Sequence, residues 1–105
     1  MPVRFVRAQP KVENLRGKTA VMRGPVVYCL ESVDLPEGVA MDQVRLPADI
    51  RLTPRHRKDF LGGLTVLEGR LVTKAEALPI RLIPYYAWAN RGPAKMEVWI
   101  PIARQ

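Results

Sequence analysis

Ten prolines and seven glycines punctuate 105 residues. That is about twice the usual proline share of roughly 5%. Proline removes a backbone donor and clashes with the preceding helical turn, so a long helix has almost nowhere to form. Between the breaks lie short segments rich in Val, Ile, Leu, Tyr and Trp. Such side chains pack well on a pleated surface. The pattern predicts short strands separated by turns.

The first strand is read over Val3 to Ala8, ended by Pro10, with Asn14-Leu15-Arg16-Gly17 as a turn. Lys18 to Arg23 and Val26 to Glu31 form two strands around Gly24-Pro25. The second of these is apolar on both faces, which places it near the middle of a sheet. Asp34 to Gly38 reads as a loop, and Gln43 to Leu46 and Ile50 to Leu52 as short strands around Pro47. Thr53 to Leu61 is polar and basic and reads as an exposed connection, with Gly62-Gly63 as a turn. Leu64 to Thr73 reads as a long strand or a hairpin around Gly69, and Ile80 to Ala89 as a further strand. A single helical turn is entertained near Thr73 to Ala77. Asn90 to Pro93 is a turn, and Met96 to Ile102 a closing strand. Several short strands at turn-marked spacing indicate an all-β sandwich or barrel. The expectation is an antiparallel, jelly-roll-like β-sandwich forming a single domain over residues 1–105, without repeats or linkers.

Composition removes several function classes. Hydrophobic residues make up 48%, enough apolar surface to oppose disorder. No apolar run approaches the ~20 residues of a membrane helix. The opening Met1-Pro2-Val3-Arg4-Phe5-Val6-Arg7 lacks the apolar core of a signal peptide. A soluble segment without an export signal of its own is expected, and the compartment is left open. Cys29 is the sole cysteine, which excludes an intramolecular disulfide and a thiolate-rich zinc site. His56 is the sole histidine, so any triad must use it. The net charge of +7 is spread along the chain, with one dense cluster, Arg55-His56-Arg57-Lys58.

Two segments carry a family resemblance. One is Arg23-Gly24-Pro25-Val26-Val27-Tyr28-Cys29-Leu30-Glu31. The other is Leu82-Ile83-Pro84-Tyr85-Tyr86-Ala87-Trp88-Ala89-Asn90-Arg91-Gly92-Pro93, followed by Met96-Glu97-Val98-Trp99-Ile100-Pro101. Together they resemble the C-terminal domain of glycoside hydrolase family 127, the β-L-arabinofuranosidase family. Pro2-Val3-Arg4, Gly17-Lys18, Leu46-Pro47-Ala48 and Gly62-Gly63-Leu64 fit the same domain. The resemblance implies an (α/α)6 barrel followed by β-sandwich domains. It places the chemistry in the barrel, where a zinc ion held by cysteines and a glutamate supports a cysteine nucleophile, with a glutamate as acid/base. None of this maps onto the present residues, so no catalytic, cofactor-binding or metal-binding residue is expected in this chain. The resemblance also implies that the stretch Thr73 to Leu78 is abbreviated.

Candidate sites are weighed residue by residue. A glycosidase needs two carboxyl groups about 5–9.5 Å apart. Glu31, Asp34, Glu37, Asp42, Asp49 and Glu97 mostly fall in loops or on alternating, solvated strand faces. Cys29 sits between Tyr28 and Leu30 and reads as a small core residue. His56, between two arginines, reads as a solvated loop residue. The aromatics Tyr86, Trp88 and Trp99 remain as possible interface or carbohydrate contacts. Strand alternation sets Tyr86 and Trp88 on one face and Tyr85 and Ala87 on the other. It sets Met96, Val98 and Ile100 opposite Trp99 and Glu97. Core packing, a domain interface and a sugar platform compete for these aromatics.

The leading reading is a non-catalytic accessory domain whose partner is the catalytic domain of the same polypeptide, with a homodimer contact as a further option. An autonomous carbohydrate-binding module for plant-type oligosaccharides is the alternative. A basic nucleic-acid binder ranks last, because the cluster lacks interleaved aromatics. No membrane partner is expected.

Overall fold

The computed structural model describes residues 2–7, 17–60, 63–74, 76–87 and 95–102. Eight strands occur among them: β1 Val3–Arg7, β2 Lys18–Arg23, β3 Val26–Glu31, β4 Thr53–Arg57, β5 Leu64–Val72, β6 Ala77–Pro84, β7 Met96–Glu97 and β8 Ile100–Pro101. The described helical turns, Ser32–Asp34, Met41–Gln43 and Tyr85–Ala87, are of the 3-10 type.

The apolar run in β3 determines where that strand sits. Tyr28 and Leu30 point into one core cluster, and Cys29 points into a second on the opposite face. A strand buried on both faces belongs inside a sheet. The observed order is β1-β2-β3-β6-β5-β4, with β7 on β3 and β8 on β2. All strand pairs are antiparallel.

The sheet curls until it meets itself. β1 covers one side of β2 from Thr19 to Arg23, and β3 covers the other side only from Val21 to Arg23. β8 takes the vacated positions at Lys18 and Thr19. Leu46 then bridges Ile102 in parallel, and Arg45 bridges Val72 of β5. The Leu46 N–H donates to Pro101 O at 2.7 Å, and Arg45 and Val72 exchange bonds of 2.8 and 2.9 Å. The path β2-β8-46-45-β5-β6-β3 thus closes around the first cluster. The two packed layers expected of a sandwich are opposite walls of one curled sheet. The interior holds Leu46, Leu67, Leu71, Leu82 and Ile100, each at most 1% exposed. Full burial of one such side chain stabilises by roughly 1.5–3 kcal/mol, against about 0.5–1.5 kcal/mol net for each closing hydrogen bond. Apolar burial therefore supplies most of the stability, and the bonds set the register.

Several expectations need correction. Thr53–Arg57 is not a connection but edge strand β4, exposed at every residue. With neither face buried it shows no apolar alternation, and Pro54 is tolerated because an edge strand can do without one ladder bond. Gln43 belongs to a 3-10 turn, and Arg45 and Leu46 form isolated bridges rather than a strand. Residues 50–52 are not a strand; Ile50 and Leu52 pack against the first cluster as side chains. Leu64–Val72 is one continuous strand without a hairpin. Thr73 does not start a helix: its N–H donates to Glu76 O at 2.8 Å, the Glu76 N–H donates to Thr73 Oγ1 at 3.2 Å, and Ala77 opens β6. β6 ends at Pro84 rather than Ala89. The strand expected from Met96 to Ile102 is two short ones on different neighbours, β3 and β2. Ala8, the turns at Asn14 to Arg16 and Asn90 to Pro93, and Gly62 lie outside the described residues.

Gly69 has a packing reason. A Cβ at this position would stand 2.6 Å from Arg51 O and 2.7 Å from Leu52 Cδ2. The crossing segment lies directly on the strand, and a side chain would push it off. Gly69→Ala is expected to destabilise the fold by about 1–3 kcal/mol, the usual cost of overpacking. A lowered urea midpoint at unchanged m value is the result to look for.

Candidate functional site

The site begins where β6 stops. Pro84 is the last residue of the strand and lies opposite Tyr28 of β3. The chain then winds into the 3-10 turn Tyr85–Ala87. A turn of three residues breaks the two-residue alternation expected of a strand. Ala87 packs inward beside Cys29, Leu64, Val66 and Ile83. Tyr85 and Tyr86 both face solvent, 47% and 70% exposed. They do not lie on opposite faces, as alternation had suggested. Trp88 lies outside the described residues.

Tyr28 anchors this end of the sheet. Its hydroxyl donates to Thr65 O at 2.8 Å, tying β3 to β5 across β6. The Arg23 guanidinium lies close enough to the same phenol to act on its charge. Burial raises the Tyr28 pKa above its ordinary value of 10.0; the Arg23 charge opposes this, and Tyr86 adds to it. Tyr86 thus stands near enough to Tyr28 to influence its ionisation. Arg23 lies opposite Val3, the first residue of β1. An exposed aromatic pair, a guanidinium and the start of the first strand are therefore grouped at one end of the sheet. Tyr and Arg are the side chains over-represented at protein interfaces.

The remaining candidates separate cleanly. Trp99 is half-buried where the chain passes from β7 to β8. Met96 and Val98 pack against the second cluster while Ile100 enters the first, so these three do not share one face. Glu97 pairs with Lys18 at 3.9 Å. Cys29 is fully buried in an apolar cluster, as a core residue would be. Glu31 is also fully buried, against the expectation of a solvated carboxylate. Asp34 and Glu97 are half-buried, and Glu37, Asp42 and Asp49 are exposed. His56 is solvated as expected, but on strand β4 rather than in a loop. In the basic cluster, Glu68 faces both Arg57, at 2.6 Å, and Arg55, at 3.9 Å. The Arg81 guanidinium lies 4.6 Å from the Phe60 ring centroid. Among the described residues no three His, Cys, Asp or Glu side chains converge on a possible metal position. The zinc chemistry implied by the family resemblance does not fit the described residues, since Cys29 is enclosed by apolar side chains and His56 lies on an edge. No helix among the described residues is long and apolar enough to cross a membrane.

Signals for the tyrosine pair were partly visible in sequence. Pro84 marks the strand end, and proline cannot continue a ladder as donor. Arg23 carries no such mark, because its role follows from the β2–β3 register.

Comparison with known proteins gives a consistent picture. Residues 3–101 match the model of the glycoside hydrolase family 127 C-terminal domain. The non-reducing end β-L-arabinofuranosidase of Bifidobacterium longum subsp. longum is 35% identical over 121 residues, covering 94% of this chain and 18% of that protein. A crystal structure of a family 127 β-L-arabinofuranosidase from Geobacillus stearothermophilus T6 superposes with a TM-score of 0.87 at 37% identity. It covers 98% of this chain and 18% of that one. A solved glycoside hydrolase gives a TM-score of 0.88 at 40% identity, covering 99% and 20%. The chain therefore spans about a fifth of the length of these relatives.

Tyr28→Phe removes the bond to Thr65 O and is expected to cost about 0.5–1.5 kcal/mol at neutral pH. The pH dependence has a definite sign. The folded pKa is raised, so above pH 10 the unfolded chain loses its phenolic proton first, and stability falls as pH rises toward the folded value. Urea titrations across this range should show wild type losing stability more steeply than the phenylalanine variant.

Proposed function

This chain belongs to the C-terminal domain family of glycoside hydrolase family 127, and from that premise we propose that it is a non-catalytic accessory domain packed on the catalytic portion of a longer glycosidase. The observation that carries this reading is a match over residues 3–101 that accounts for only about a fifth of each relative. The larger part, which includes the chemistry, lies outside this chain. The names of the relatives suggest that the parent acts on a terminal β-L-arabinofuranosyl residue. The cofactor implied by the family, zinc, belongs by the same reasoning to the catalytic portion.

The exposed end described above is the docking face in this reading. A C-terminal domain is reached through its first strand, and Val3 lies opposite Arg23, beside Tyr28 and Tyr86. The rest of the polypeptide arrives next to the two exposed tyrosines. A well-packed tyrosine in such a contact accounts for about 2 kcal/mol or more on truncation. A second reading rests on the 70% exposure of Tyr86: a flat ring with polar groups at its edge also suits a sugar, with Trp88 two residues further along the sequence.

The 105-residue chain is expected to release no arabinose from a β-L-arabinofuranoside; hydrolysis abolished by one substitution in it overturns the accessory reading. In the full-length parent, Tyr86→Ala should lower the melting temperature and raise amide exchange at the Tyr85–Ala87 turn, with KM unchanged. Calorimetric titration of the 105-residue chain with arabinose-containing oligosaccharides should be flat. Saturable heat lost in Tyr86→Ala would favour the sugar platform instead.

A further inference from the structure

The seam between Arg45 and Val72 carries a cleft. Val72 alternates with the buried Leu71, so its side chain points away from the interior. Beside it lies a space of about 620 Å³, lined in part by Val39, Asp42, Gln43, Arg45 and Lys74. That size is ordinary for a small-molecule site. β6 begins at Ala77 and ends at Pro84, so eight residues of strand, each rising about 3.3 Å, separate this end of the sheet from the Tyr85–Ala87 turn. Docking at the tyrosines leaves the cleft open.

Arg45 is held in place before any ligand arrives. Its Nη1 donates to Asp42 O at 2.8 Å and to Val44 O at 2.9 Å. Both Nη1 hydrogens are thereby used. The Nε and Nη2 groups make no hydrogen bond or ion pair among the described residues. They form the side-on fork whose two parallel donors match a carboxylate. A guanidinium already fixed loses little rotamer freedom on binding.

The neighbouring groups narrow the ligand class. Lys74 stands on the turn closed by Thr73 and Glu76 and makes no ion pair among the described residues. Gln43 accepts the Ala40 N–H on Oε1 at 2.9 Å, which leaves its Nε2 as a donor. Asp42 is an exposed carboxylate without an ion pair among the described residues. Two cations beside one carboxylate suit a ligand with one acid group and several hydroxyls. Asp42 accepts from a hydroxyl and repels a second acid group. The half-buried Val39 and Val72 offer apolar surface to the C–H face of a ring.

We propose that this cleft binds a sugar acid of the hexuronate class, its carboxylate on Arg45 and Lys74 and a hydroxyl on Asp42. The site is separate from the tyrosine face and does not rest on its role.

The test is an NMR titration of the chain at low ionic strength, where exposed charges are least screened. Galacturonate, galactose and acetate are the probes, read at the Arg45 Nε–H and at the Thr73 and Lys74 amides. Galacturonate is expected to shift all three saturably. Galactose lacks the carboxylate and acetate lacks the hydroxyls, and each should bind about ten-fold more weakly or worse, for want of a charge-assisted hydrogen bond. Arg45→Lys keeps the charge but loses the fork and should weaken galacturonate about ten-fold. Lys74→Gln, on an exposed turn, should weaken it about three-fold; this variant decides the matter if Arg45→Lys fails to fold. Tyr86→Ala should leave the titration unchanged. An absence of saturable shifts with galacturonate overturns the proposal. So does galactose or acetate binding as tightly as galacturonate, affinity unchanged in either folded cleft variant, or binding lost in Tyr86→Ala.

Discussion

Two residues without a strand of their own, Arg45 and Leu46, hold the curled sheet shut. They reach β5 through Val72 on one side and the end of β8 through Pro101 and Ile102 on the other. Without them β5 and β8 would be separate margins, and Leu71 and Ile100 would lose the wall between them. The Leu46 side chain is itself buried in the interior it seals, so bonding and burial act at the same point. Closure also disposes of backbone groups that would otherwise be buried without partners, which is costly inside an apolar core.

The closed ring explains why chemistry is hard to place in the described part of this domain. Its interior is filled by aliphatic side chains rather than shaped as a cavity. The second cluster, on the outer face of β3, β5 and β6, encloses Cys29 with apolar neighbours. Few polar side chains are buried: Glu31 and Thr19 are, the Thr19 hydroxyl without a hydrogen-bond partner among the described residues, and the Tyr28 hydroxyl and the Arg23 charge meet at one end of the sheet. A scaffold of this kind is suited to contacts with other protein surfaces, in line with its place as about a fifth of longer family 127 proteins.

Legibility in the sequence followed burial. β2 and β3 could be read to the residue, because Gly24-Pro25 punctuates them and their side chains face a core. β4 could not: an edge strand exposed on both faces has the composition of a loop, and its pairing with β5 is a fact of the sheet rather than of the segment. Gly69 looked like a turn because its close neighbours, Arg51 and Leu52, are remote in sequence. Among the candidate residues, Cys29 was readable from its apolar neighbours. Tyr85 and Tyr86 are visible as aromatics, but their apolar neighbours read as a continuing strand although β6 ends at Pro84. The bend that sends Val98 and Ile100 into different clusters left no local mark at all.

The closure has a temporal side. β8 pairs with Lys18 and Thr19 across almost the whole length of the sequence, and Leu46 finds its donor's partner only in Pro101. During synthesis the ring must stay open until the last described residues have left the ribosome. Long-range pairing of this sort is slow to form, because the chain entropy is lost before the contacts are gained. A half-made molecule would present Leu46, Leu71 and Val21 to whatever is nearby. The part of the fold that is most protected once complete is thus the part most exposed while the chain is still being made.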